Sequence, residues 1–204
     1  VTTCIALALL DFPAADGVAV GTQRWKQDVF MISEWQAPFV HPGPEWELDA
    51  EVRYKEFAGA NFTVMLGGLN ANSTACSCIA GTETCCGHTV EVVQMRLCEK
   101  YGLKCVTGPR INPGPPLVER IDPAATSSSA FWGFDLADEP AVSAFPRLAN
   151  ISRQVAALYP GRLRFINLLP NYASPAAYNA TNYSAYVDAF VQELQPDVMS
   201  MDHY

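Results

Sequence analysis

The chain has 204 residues, half of them apolar, and a net charge of −8. That length and composition allow a sizeable core in one domain and weigh against disorder. The acidic balance excludes a nucleic-acid binder, because phosphate contacts need a basic surface.

Residues 1–28 read as an N-terminal extension or a truncated signal region. The opening CIALALL has the apolar character of a signal peptide without an initiator Met or a basic flank, and it equally reads as a first strand. Val29 to Ser33 is a short apolar run expected to be a buried strand. Asp49 to Ala58, with acids in its first turn and Gly59 behind it, reads as a helix. Phe62 to Leu66 is strand-like and stops at Gly67-Gly68. Val90, Val93, Leu97 and Tyr101 recur at spacings of three and four, one face of a helix that Gly102 ends. Leu103 to Thr107 follows as a third strand. Pro109 to Ser129 is rich in Pro, Gly and Ser and reads as loop, with a short helix around 117–121. Phe131 to Ala137 is the fourth strand. Leu148, Ile151, Val155 and Leu158 make the next helical stripe, and Leu163 to Leu168 the fifth strand. Tyr186 to Leu194 forms another helix, and Val198 to Met201 begins a sixth strand.

Strands apolar on both faces, separated by amphipathic helices, indicate an α/β protein built of parallel βαβ units. Neither G-x-G-x-x-G nor a P-loop occurs. The series therefore favours a (β/α)8 TIM barrel over a doubly wound sheet. A complete barrel takes about 250 residues and eight strands. The expectation is a partial barrel of about six βα units over residues 29–204, with the last two units beyond Tyr204.

Six of the seven cysteines, Cys76, Cys78, Cys85, Cys86, Cys98 and Cys105, fall within thirty residues. Disulfides would staple a loop too polar to bury a core. A zinc site at Cys76, Cys78, Cys85 or Cys86 with His88 fits poorly, because C-x-C and C-C are not the usual ligand spacings. Connectivity is not fixed by sequence; Cys4 is free or pairs outside this span. The sequons at Asn72, Asn150, Asn179 and Asn182 are candidate N-glycan sites in a secreted protein, whereas Asn61 leads straight into a strand. No apolar run is long enough to cross a bilayer.

Chemistry in such barrels sits at the C-terminal ends of the strands, and the polar residues gather there. Glu34-Trp35 follow strand one, Arg110 follows strand three, and Asp138-Glu139 follow strand four. Strand five leads to Asn167 and Asn171, strand six to Asp202-His203-Tyr204. With Asp138-Glu139-Pro140 closing strand four and His203-Tyr204 closing strand six, the chain resembles the clan A retaining glycoside hydrolases. That resemblance implies a secreted hydrolase that cleaves β-glycosidic bonds of a polysaccharide or oligosaccharide without cofactor or metal. It implies Glu139 as general acid/base and Asp138, Glu34, Trp35, Arg110, Asn167, Asn171, His203 and Tyr204 as substrate contacts. It places the nucleophile on a seventh strand, beyond Tyr204. Asp138 departs from the clan's Asn: an ionised carboxylate only accepts from a sugar hydroxyl.

Plainer roles stand beside these. Glu139 could cap the helix beginning near Ser143, Asp138 could make a structural hydrogen bond, and Trp132, early in its strand, suits the core. Two other functions remain open. One is a non-catalytic carbohydrate-binding or structural glycoprotein on a degenerate barrel. The other is a metal-dependent barrel hydrolase using Asp135, Asp138, Glu139, Asp202 and His203.

Overall fold

The computed structural model describes residues 3–4, 23–35, 44–66, 90–107 and 122–203. It is an α/β fold whose strands follow chain order across one sheet, with a six-strand parallel portion. The chain divides into two compact units, one containing Val29–Asp135 and the other Cys4–Asp28 with Leu136–Tyr204. After β1 (Thr3–Cys4), the strands are β2 (Ser33–Trp35), β3 (Val64–Leu66), β4 (Lys104–Thr107), β5 (Phe131–Asp138), β6 (Leu163–Leu168) and β7 (Ser200–Met201).

In the first unit β2, β3, β4 and the start of β5 pair in parallel, Glu34 opposite Met65 and Met65 opposite Cys105. Two helices pack here, α1 (Pro44–Gly59) and α2 (Val90–Tyr101). Helix α2 buries Val92, Val93, Met95, Leu97 and Cys98. It ends as its sequence requires: Gly102 takes φ +69°, Gly102 N donates to Glu99 O, and Leu103 N donates to Cys98 O at 2.8 Å. That pair of bonds is the Schellman stop, which a Cβ at φ > 0 would strain. A four-residue helix α3 (Pro123–Thr126) is capped by Asp122, whose carboxylate accepts from Ala124 N. The short helix expected at 117–121 lies outside the described residues, as do Cys76, Cys78, Cys85, Cys86 and His88.

The first strand is displaced from its expected position. Val29 to Ser33 is not a buried strand: Phe30 is 72% exposed, and β2 starts only at Ser33. The Thr63 hydroxyl occupies the missing rung, donating to Phe30 O at 2.6 Å and accepting from Ile32 N at 2.8 Å. Trp132 is buried, as a core residue should be.

The second unit contains the end of β5, then β6 and β7 paired in parallel, Asn167 opposite Ser200. Helices α4 (Phe145–Leu158), α5 (Pro175–Tyr178) and α6 (Tyr183–Leu194) complete it. Phe145 packs against Tyr186 and Phe190 at centroid distances of 5.5 and 5.7 Å, joining α4 to α6. Residues 23–28 belong to this unit, where Gly161 N donates to Gln23 O at 2.7 Å. At the start of β6, Arg164 holds Asp197 through two bonds of 2.9 and 2.8 Å and reaches Ser152 Oγ. The Asp197 side chain is 1% exposed, so loss of its fork would leave a buried charge with only Arg24 Nε, at 3.9 Å, as a cationic partner. Arg164→Ala should therefore cost about 3–5 kcal/mol; a denaturant midpoint equal to wild type would contradict this.

Candidate active site

Strand β5 is buried from Phe131 through Ala137, apolar but for Asp135, and its burial ends at Asp138. Glu139 then adopts φ +48°, a left-handed conformation costly for a residue with a Cβ, directly before a proline. Such strain amounts to about 1–3 kcal/mol and persists only where its surroundings fix it. They do so here. Glu139 N donates to Asn167 O at 2.8 Å, and buried Pro140 offers its carbonyl to Tyr186 Oη at 2.8 Å. The turn and helix that follow have Ala141 and Ala144 at their starts and no side-chain cap, so Glu139 does not serve as the helix cap.

Asn167 links three strand ends from a fully buried position. Its Nδ2 donates to Asp138 Oδ1 at 3.2 Å, and its Oδ1 accepts from Ser200 Oγ at 2.8 Å. A side-chain amide can do both at once. Asp138 thus has a structural hydrogen bond as well as a position beside Glu139. Asp202 follows β7, buried, with its N–H on Leu168 O at 3.2 Å.

The Glu139 carboxyl lies within hydrogen-bonding reach of the Asp202 side chain. Partial desolvation, that contact, the Asp202 charge and the Asp138 charge together raise its pKa to about 7. A carboxyl hydrogen bond between two acids needs one proton, and the raised pKa puts it on Glu139. Glu139 therefore presents an acid near neutral pH from an exposed position on the rim.

Tyrosines of α5 and α6 brace this rim. Tyr186 accepts from Leu169 N at 3.3 Å while it donates to Pro140 O, and Tyr183 donates to Leu169 O at 2.9 Å. Tyr178 stacks on Tyr186 at 5.4 Å. Burial pushes the Tyr186 hydroxyl up to about 12, so it remains a donor throughout the physiological range.

The second unit thus brings together Asp138, Glu139 and Asn167, and it adds Asp202 as the acid's direct partner. Asn171 and His203 are exposed within the same unit. Glu34 is half-buried in β2 of the other unit; Trp35 closes that strand, and its side chain lies outside the described residues. Arg110, Tyr204 and Asn72 also lie outside them. Asn150, Asn179 and Asn182 are exposed; Asn182 caps α6 through Ala185 N at 2.9 Å. Asp135 is fully buried within β5. Among the described residues no three His, Cys, Asp or Glu are grouped as metal ligands, and no helix is long and apolar enough to cross a membrane. The sequence marks Asp202 only as a polar residue at a strand end; its contact with Glu139 requires the tertiary pairing of β6 with β7. Comparison with protein-family models, curated proteins and solved structures gives no match.

Two outcomes follow from this geometry. The raised Glu139 pKa contributes stability that is complete below the ordinary carboxyl pKa and is lost as pH rises through about 7. The melting temperature of Glu139→Gln should therefore gain on wild type between pH 5 and pH 8; a difference independent of pH would refute the shared proton. Tyr186→Phe removes a buried donor and acceptor together and should cost about 1–3 kcal/mol in urea unfolding. An unchanged midpoint would show that the brace does not hold.

Proposed function

We propose that this chain is the catalytic region of a secreted retaining β-glycosidase acting on a polysaccharide or oligosaccharide, with Glu139 as general acid/base, on a TIM-barrel fold. One observation carries the proposal: Glu139, strained at a strand end, holds a proton near neutral pH against two neighbouring aspartates. A carboxylic acid poised there suits protonation of a glycosidic oxygen. In the first step Glu139 gives its proton to the leaving oxygen while a carboxylate attacks the anomeric carbon. The ionised Glu139 then takes a proton from water, which displaces that carboxylate and releases the sugar.

Asp202 is not the nucleophile. A retaining pair stands about 5–5.5 Å apart across the scissile bond, whereas Asp202 is within hydrogen-bonding reach of Glu139. Its role is to hold the proton on the acid between turnovers. Asp138, kept as an acceptor by Asn167, is placed to receive a substrate hydroxyl. Asn171 and His203, exposed in the same unit, are candidate sugar contacts, as are Glu34, Trp35, Arg110 and Tyr204 from the resemblance. Glycans at Asn72, Asn150, Asn179 and Asn182 belong to the same secreted reading.

The test is release of reducing ends by the full-length protein from a panel of β-linked polysaccharides. Glu139→Gln should lower kcat by ~10²–10⁴-fold, least for aryl glycosides whose leaving groups need no proton. Equal losses on activated and unactivated substrates would remove Glu139 as the acid. Asp202→Asn takes away the neighbouring charge, so the Glu139 pKa falls and the alkaline limb of kcat/KM moves to lower pH. An unmoved limb would detach Asp202 from the acid.

A further inference from the structure

Cys98 and Cys105 are both 0% exposed and lie in the first unit. The Schellman stop brings them together. Leu103 N bonds back to Cys98 O, the chain reverses at Gly102, and Cys105 enters β4 beneath the last turn of α2. Both are free thiols in the fold, each near enough to act on the other, and the buried Tyr54 ring lies beside both. Burial holds the Cys98 thiol well above its ordinary pKa, so in the folded chain that thiol is chemically quiet. Buried thiols also serve as small apolar side chains. Two buried thiols brought side by side within an eight-residue span go further than that role requires.

We propose that Cys98 and Cys105 form a disulfide with each other, independent of Cys76, Cys78, Cys85 and Cys86. The bond locks the end of α2 to β4. It forms by exchange with a disulfide donor, of the glutathione or dithiol-oxidase class. The Cys98 thiolate attacks the donor and expels one thiolate; the Cys105 thiolate attacks the Cys98 sulfur of the mixed disulfide and expels the second. The donor takes two electrons, and the two protons lost by the cysteines pass to its two thiolates. Full burial of both sulfurs places this exchange before the core closes. In the finished fold the bond is shielded from soluble reductant.

The pairing rests on the secreted reading but not on Glu139, so its test uses no activity measurement. Full-length protein secreted from an oxidising compartment is denatured, alkylated without reductant and digested with trypsin. Lys100 and Lys104 separate the two cysteines, so the expected product is Leu97–Lys100 (LCEK) joined to Cys105–Arg110 (CVTGPR), parting only on reduction. Both peptides recovered alkylated before reduction, or either joined to a peptide from residues 76–86, would overturn the proposal. Those outcomes leave the Glu139→Gln result untouched, so the two readings fail separately.

Discussion

Asn167 carries three hydrogen bonds from one buried position, and the ends of β5, β6 and β7 are held in register by them. Its backbone carbonyl takes Glu139 N, its amide nitrogen reaches Asp138, and its amide oxygen takes Ser200 Oγ. A buried polar side chain is tolerable only when satisfied, and here satisfaction and alignment are the same bonds. Because the amide donates to Asp138 and accepts from Ser200, neither Asp nor Leu would reproduce the arrangement. Asp would face Asp138 with another acceptor; Leu would leave Asp138 and Ser200 without these partners.

The acid is supported from outside the sheet as well. Tyr186 sits in the packed aromatic layer of α4, α5 and α6, yet its hydroxyl serves two loops, after β5 and after β6. Helix packing therefore fixes the backbone around Glu139 by a route independent of Asn167. The proton is fixed by a third device, the juxtaposition with Asp202 and Asp138. On the proposed function, each device serves one need of an acid catalyst: place, direction and charge state.

Elements whose burial matches their local pattern were legible in the sequence. β6 spans Leu163–Leu168 because its apolar residues are buried there, and α2 runs Val90–Tyr101 because Gly102 can take positive φ. β2 begins later than VFMIS suggests because that run is buried only in alternation, Met31 and Ser33 inside and Phe30 and Ile32 exposed; a threonine hydroxyl from a distant segment, invisible to periodicity, decides where pairing begins. The short helices α3 and α5 do carry a sequence signal, Asp122-Pro123 and Ser174-Pro175, each a capping residue before a proline. At the site, Asp138 and Glu139 stand out against an apolar strand. Asp202 does not, because what distinguishes it is a neighbour from another strand.

The left-handed turn at Glu139 has a consequence for how the sequence can drift. Glycine there would relax the main chain and remove a carboxyl crowded by two others. Folding alone thus pushes this position toward an inert residue. On the proposed function, the glutamate stands there for its chemistry, against the scaffold's own preference.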